Sequence, residues 1–339
     1  MPVTIRDVAR EANVSATTVS RVFNHPDLVS SSTVERVQRI AGKMGYQPNA
    51  TAQSLSHGRT QAIGVLSPAR RGEFFSEVMR GIDDVAQSAG YYLLISSSHY
   101  SLEETEAALR VLRGRVDGML VMTTHVDAPS MMQAHAPDVP VVFMNSAMGE
   151  TGYDAFDIAN RAGARAAVRH LADQGHRRIA AITGPVDSSD VRERLEGFRD
   201  ALEESGLNPD KAPLITGDFT QASGYSAGKE ILALDPLPEA VFACNDYMAI
   251  GAMAALQEAG LGIPGDVAVA GFDDISSARY ANPSLSTVRV PVYDLGRQAA
   301  TRLLERLEEK SEGTSQPQEQ VFDAELVVRA SSGAERSTR

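Results

Sequence analysis

Between residues 14 and 24 the chain reads VSATTVSRVFN, with Val19, Val22 and Phe23 at the i, i+3, i+4 spacing of one helix face. The opposite face, Ala16, Thr17, Ser20 and Arg21, is small and polar, and Ser15 stands where a helix cap belongs. A shorter helix is predicted before it, over residues 5–12, opened by Thr4 with Asp7 as a capping box and separated by an Asn13-Val14 turn. After the loop HPDLVSS, a second box of Ser32 and Glu35 predicts a helix over residues 33–44 that ends at Gly45. Val34, Val37, Ile40, Ala41 and Met44 form its inner face. Two short helices, a tight turn and a third bracing helix are the pattern of a helix-turn-helix DNA reader.

From residue 61 the pattern changes. Short apolar runs (AIGVL, YYLLIS, VDGMLVM, VPVVFM) alternate with amphipathic helices, and a second series follows in RRIAAIT, APLITGD, AVFACND and DVAVAGFDD. Apolar strands joined by helices imply parallel sheets covered on both faces. Two such series in tandem predict two doubly wound α/β lobes, with a ligand held between them at the strand C-termini.

The chemistry of the first segment follows from groove geometry. A reading helix must present small groups so that it can approach the bases. Ala16 can meet a thymine methyl, Thr17 either kind of base, and Arg21 a guanine edge. The hydroxyls of Thr4, Ser15 and Ser20 suit phosphates. The net charge of −12 is unevenly spread: residues 1–60 hold seven Lys/Arg against four Asp/Glu, a balance of +3, and the remainder holds 25 against 40, a balance of −15. A basic head on an acidic body suits a polyanion-binding module. The stretch YQPNATAQSLSHGRT then predicts a helix of about eight residues over 50–57, marginal on its own because isolated helices below about 12 residues are frayed in water. Its one large apolar residue, Leu55, could wedge into a base step from the minor groove.

Taken together, VTIRDVAREANVSATTVSRVFN, Val29-Ser30, MGYQPNATAQSL and AIGVL resemble the LacI/GalR family of bacterial repressors, and the likeness continues through the long remainder. The resemblance implies a headpiece (residues 1–48), a hinge helix and linker (49–60), and a periplasmic-binding-protein-like core. The first lobe would comprise residues 61–158 and 291–319, the second 159–290 and 320–330, with a disordered tail over 331–339. The three crossings between lobes fall near Ala159, Val290 and Gln320. The resemblance adds Asn24, Ser30, Tyr46, Asn49, Ala52, Gln53 and Leu55 to the candidate DNA contacts. It places Phe74, Phe75, Asn145, Arg194, Phe219, Asn245 and Asp273 at effector-binding positions. Carboxylate, arginine, amide and aromatic plates are the groups that grip a polyol. Asp246, Asp274 and Arg192 also lie at strand or helix ends, where capping and ion pairing are the alternative. Val290 stands where many family members offer a glutamine, so a polar contact is lost.

Enzyme signals fail on context. GYSAG (224–228) fits the nucleophile-elbow pattern, but every histidine lies at or before His176 and the segment reads as the body of a helix. GLGIPG (260–265) follows a helix and precedes a strand, the reverse of a dinucleotide fingerprint. His170 and His176 have no metal-ligand company, and Cys244, the single cysteine, reads as a buried strand residue and allows no internal disulfide. No apolar run approaches the roughly 18 residues of a membrane span, and the N-terminus lacks a secretory h-region. The sequence therefore predicts a cytoplasmic, cofactor-free transcriptional regulator. It would bind a near-palindromic operator as a homodimer, under control of a small sugar-like effector. A co-repressed regulator sensing a purine-like metabolite is the alternative, with a serine hydrolase as the reading from another class.

Overall fold

A computed structural model describes residues 3–47, 59–68, 72–99, 101–123, 139–146, 152–185, 187–309 and 316–333. The chain divides into two compact units, the first holding the N-terminal helices and the second nearly all of the α/β core.

In the first unit, α1 (Ile5–Glu11), α2 (Ala16–Asn24) and α3 (Ser31–Met44) enclose Val8, Ala9, Ala12, Val19, Val22, Val37 and Ala41. The Thr4 backbone N–H donates 3.0 Å to Asp7 Oδ2, closing the capping box. Ser15 Oγ accepts the Thr18 N–H at 3.0 Å and so caps α2. The third helix begins earlier than its sequence box indicates. A 3₁₀ turn at Pro26–Leu28 is followed by extended Val29 and Ser30, so Ser30 becomes the N-cap and its carbonyl accepts from Thr33 and Val34. Ser32 lies inside the helix rather than at its cap. Gly45, at φ 67°, adopts the left-handed conformation that ends α3.

The second unit contains two parallel sheets. In the first lobe, β1 (Ala62–Ser67), β2 (Tyr92–Ser97), β3 (Gly118–Met122), β4 (Val141–Met144), β5 (Asp154–Ile158) and β11 (Glu319–Phe322) run in the order β11-β5-β4-β3-β1-β2. In the second lobe, β6 (Ile179–Thr183), β7 (Leu214–Thr216), β8 (Ala240–Ala243) and β9 (Ala268–Ala270) run β7-β6-β8-β9. An antiparallel pair, β10 (Thr287–Arg289) with β12 (Glu325–Val327), extends this lobe beside β9. Helices α4 (Glu73–Ser88), α5 (Leu102–Leu112) and α11 (Val292–Glu309) belong to the first lobe. The second is covered by α6 (Asn160–Asp173), α7 (Ser189–Glu204), α8 (Gln221–Leu232), α9 (Asp246–Glu258) and the short α10 (Ser276–Tyr280).

The helices pack in pairs, α4 on α11, α6 on α7 and α8 on α9, closely enough that backbones touch. A Cβ on Gly81 would lie 2.1 Å from the Tyr293 carbonyl oxygen, and one on Gly197 2.1 Å from that of Arg161. Only glycine permits these approaches.

The chain leaves the first sheet after β5, at Ala159, and returns after β10, at Val290. Its third crossing is displaced from Gln320. Val321 and Phe322 continue parallel pairing with Asp157 and Ile158, Phe322 is buried, and the crossing falls at Asp323-Ala324. The expectation of a disordered tail over 331–339 is corrected at its first residues, and 334–339 lie outside the described residues. Ser331 and Ser332 are fully buried, with Ser331 Oγ donating 2.6 Å to the Val269 carbonyl and Ser332 Oγ bonded to Ser286 Oγ at 2.6 Å. Hydroxyls buried this way are retained because each finds a partner.

Candidate functional site

The outer face of α2 is laid out by its core stripe. With Val19 and Val22 buried, Thr17 and Arg21 are left exposed and Ala16 and Ser20 half-buried. Ser20 Oγ accepts from Asn24 Nδ2 at 3.2 Å, which stiffens the polar face along one helix turn. The Thr4 hydroxyl donates 2.6 Å to Asp7, and the Ser15 hydroxyl is shared with Thr18, so both are already oriented by capping. Thr4's two bonds hold the Asp7 carboxyl below its ordinary range. Ser30 is exposed at the start of α3, and its hydroxyl donates 2.9 Å to Thr33 Oγ1. Tyr46 packs its ring 5.8 Å from that of Phe23, bracing α2 against the end of α3. Asn49, Ala52, Gln53 and Leu55 lie outside the described residues.

A cavity of about 210 Å³ lies in the core, lined by Phe74, Phe75, Arg194, Phe219, Asn245 and Asp273 together with Gly72, Asp190, Asp218, Thr220 and Tyr247. Its side chains come from strand C-termini and the first turns of the helices that follow. Phe74 and Phe75 open α4 with their rings edge to face at 76°. Asp190 and Arg194 stand one turn apart on α7. Phe219 lies between β7 and α8, Asn245 caps α9, and Asp273 follows β9.

Asn145 is near this cavity but does not line it. Its Nδ2 donates 2.8 Å to Asp190 Oδ2, and its Oδ1 accepts from Asn160 Nδ2 at 3.4 Å. Asn145 thus belongs to the support of Asp190, a residue that the sequence reading passed over. The signal was available: Asp190 is i−4 to Arg194 and shares its helix face. Tyr247 was also missed, although it is the second residue of a helix opening at a strand end.

Asn245 lines the cavity and also supports its wall. Its Oδ1 accepts the Met248 N–H at 2.9 Å and its Nδ2 donates 3.0 Å to the Phe219 carbonyl. Both ends of the amide are engaged in capping α9 and holding Phe219. That residue has φ 67°, and Asp273 has φ 116°. Side-chain-bearing residues held in such conformations cost of order 1–3 kcal/mol each and cluster at binding sites.

Arg194 is buried. Its Nε donates 2.9 Å to Asn160 Oδ1, its Nη1 donates to the Cys244 carbonyl, and Cζ lies 3.8 Å from the centre of the Phe272 ring. Nη1 stands 3.6 Å from Asp273 Oδ1, a buried oxygen that accepts no hydrogen bond among the described residues. Burial pushes the Asp273 carboxyl up to about 7 against the pull of Arg194, with Asp190 adding to the rise. Asp190 is likewise raised by burial, opposed by Arg194 and by the Asn145 bond. The site therefore presents an unsatisfied carboxylate oxygen beside a buried guanidinium, in a cavity with aromatic walls.

Neighbouring polar residues are structural. Asp246 is buried and accepts from the Thr287 hydroxyl and, at 2.9 Å, from the Ile275 N–H. Asp274 accepts from Arg289 at 2.8 Å and from Arg329, and Arg192 is an exposed residue of α7. Val290 is buried at the second crossing. Ser226 lies within α8, and 260–265 lies between α9 and β9, so neither enzyme motif has its required context. Cys244 is buried with its thiol pushed up to about 12 by desolvation, and His170 is bonded to Ser332 at 2.9 Å. Among the described residues no group of His, Cys, Asp and Glu could hold a metal ion, and no helix is long and apolar enough to cross a membrane.

A helix-turn-helix unit followed by a two-lobed α/β core with a polar, aromatic-walled cavity defines a ligand-responsive DNA-binding regulator. Residues 4–49 match the model of the lacI family of bacterial regulatory proteins, and residues 168–332 match that of the periplasmic binding protein-like domain. The chain is 38% identical over 307 residues to the ribose operon repressor of Escherichia coli K12, covering 90% of this chain and 93% of that one. It is 38% identical over 314 residues to the transcriptional repressor PurR of Edwardsiella ictaluri, covering 91% and 92%. The lac repressor dimer bound to operator and the anti-inducer ONPF superposes with a TM-score of 0.84 at 30% identity, covering 98% of this chain and 99% of that one. The protein belongs to the LacI family of transcriptional regulators. It is a DNA-binding transcriptional repressor with a small-molecule effector, and it is not an enzyme.

Proposed function

We propose that the effector is a neutral, unphosphorylated sugar of about monosaccharide size, and that its binding between the lobes weakens operator binding. The observation that carries this reading is the Arg194–Asp273 pair, whose unsatisfied Asp273 Oδ1 stands in a cavity walled by Phe74, Phe75 and Phe219. Adjacent sugar hydroxyls donate to a carboxylate and accept from a guanidinium at once, while aromatic rings cover the C–H faces. Asp190, Asp218 and Asp273 against one arginine disfavour a phosphorylated ligand. A volume of about 210 Å³ suits one sugar ring. The likeness to a ribose operon repressor supports a pentose. The equal likeness to PurR supports a purine, but the edge-to-face arrangement of Phe74 and Phe75 offers no parallel slot for a flat base.

In this reading residues 1–48 read each half-site through Ala16, Thr17, Ser20 and Arg21. Thr4, Ser15, Asn24, Ser30 and Tyr46 serve position and support, and 49–60 form the hinge carrying Asn49, Ala52, Gln53 and Leu55. The test is a thermal-shift panel of D-ribose, hexoses, polyols, sugar phosphates and purines. A neutral sugar should raise the melting temperature at sub-millimolar concentration, and Asp273→Ala should remove the response. A shift with hypoxanthine or guanine and none with any sugar overturns the reading. In parallel, Leu55→Asp should abolish binding to a selected palindromic operator while leaving the ligand response intact.

A further inference from the structure

Glu73, the first residue of α4, reaches from the first lobe to two elements of the second. Its carboxylate accepts the Ser276 N–H through Oε1 and the Ser276 hydroxyl at 2.9 Å through Oε2. Its own N–H donates 3.1 Å to the Tyr247 hydroxyl. Ser276 opens α10 and Tyr247 stands in the first turn of α9, 203 and 174 residues further along the chain. None of these residues adjoins a point where the chain crosses between lobes, so their bonds can open without straining a peptide link.

The contact is joined to the cavity on both sides. Phe74 and Phe75 follow Glu73 directly and put their rings on the cavity wall, and Tyr247 lines it from the second lobe. Gly72, the N-cap of α4, sits so close that an added Cβ would lie 3.4 Å from the Tyr247 ring. One carboxylate therefore ties the lobes at the turn that places the aromatic rings.

We propose that Glu73 is a positioning residue for ligand capture: its grip on Ser276, with the Tyr247 bond, holds the two lobes closed and keeps Phe74 and Phe75 over the cavity. Charge-assisted bonds to a backbone N–H and a hydroxyl are stronger than neutral ones, yet this pair is reached by solvent and so can be made and broken as the cleft works. Closure by Glu73 stands on the geometry alone. Its effect on ligand release rests on the cavity being the effector site, as proposed above.

The experiment measures closure in the ligand-free, full-length protein. Spin labels are placed at Arg110→Cys on α5 and Lys211→Cys on the second lobe, both exposed positions, and pulsed electron paramagnetic resonance records the distance between them. The parent, mixed with an excess of unlabelled protein so that a dimer carries at most one labelled protomer, should give one narrow distribution. Glu73→Gln should add a longer component, and Ser276→Ala, which removes only the hydroxyl bond, a smaller one. Glu73→Gln should also release D-ribose about tenfold faster, the factor expected when charge-assisted bonds worth roughly 1.4 kcal/mol are lost. Melting temperatures identify any variant that merely fails to fold, and Ser276→Ala then carries the test. Distributions for Glu73→Gln and Ser276→Ala that match the parent overturn the proposal. Changed distributions with no ribose binding in the parent sustain closure by Glu73 and overturn only the sugar reading.

Discussion

Arg194 and Asp273 face each other across 3.6 Å, Nη1 to Oδ1, close enough to share charge and too far apart for a hydrogen bond. Burial raises the Asp273 carboxyl to about 7, so between these values the folded protein holds a proton that the unfolded chain, near 3.8, releases. The stability from this group is complete below about pH 4 and is lost as the pH rises through 7. Asp157, raised to about 7 by burial, acts in the same direction. Urea unfolding at pH 5 and pH 8 should show the parent losing stability on the way up, and Asp273→Asn losing less. Parallel curves for parent and variant would remove the assignment. Ligand affinity should run the other way, increasing from pH 6 to pH 8 as the ionised carboxylate becomes available to hydroxyl donors, a trend calorimetry can follow.

Asp154 is the inverse case. It is buried at the start of β5, where Arg306 Nε donates 2.6 Å to Oδ2, and Arg302 Nε and the Gln318 N–H donate 3.0 and 2.7 Å to Oδ1. Burial alone would raise its carboxyl, but these donors more than offset it and leave the group below its ordinary range. Its contribution is present above the unfolded value and is lost as pH falls through the lowered one. Asp154→Ala should destabilise the first lobe by about 3–5 kcal/mol at pH 7, because two arginines lose a buried partner. Calorimetry showing a melting temperature unchanged from the parent would contradict this.

On the headpiece, Arg21→Ala should cost about 1–3 kcal/mol of operator affinity and relax preference at one base position in each half-site. Arg36→Ala, on the exposed surface of α3, should leave that base preference intact. A selection experiment on randomised half-sites separates the two. Arg21→Ala retaining the parent's base preference would rule Arg21 out as a reader.

Removal of residues 331–339 should lower the melting temperature. Ser331 accepts the Ser286 N–H at 2.8 Å, and Ser332 meets both Ser286 and His170. Each buried group left without a partner costs about 1–3 kcal/mol. A chain ending at Ala330 that melts with the parent would show these bonds to be dispensable.

The elements set by neighbouring residues were legible. Thr4 with Asp7, Ser15, and the Val19–Val22–Phe23 stripe place α1 and α2 because capping and helical spacing act over three or four residues. Ser30 was not picked out as the cap of α3, since Ser30, Ser31 and Ser32 are chemically alike and only the 3₁₀ turn before them sets the phase. Phe74, Phe75, Arg194, Phe219, Asn245 and Asp273 could be placed from strand ends, where a doubly wound sheet gathers its ligand groups. The support of Asp190 by Asn145 spans 45 residues, and the bond from Asn245 to the Phe219 carbonyl spans 26. The burial of Ser331 likewise needs Val269, 62 residues away, which no local pattern reports.

The pairing of β11 with β5 also sets an order of assembly. The second lobe's four-stranded sheet is contiguous in sequence, from Ile179 to Ala270, and can form as that stretch leaves the ribosome. The first lobe, begun earlier, must keep β5 and the face awaiting α11 uncovered until residues 292–322 have been made. Both lobes are therefore completed only by the last stretch of chain, the first by β11 and the second by β12, Ser331 and Ser332, and translation arrest or a protease cut before β11 would leave the first sheet with an open edge and β10 without its partner strand.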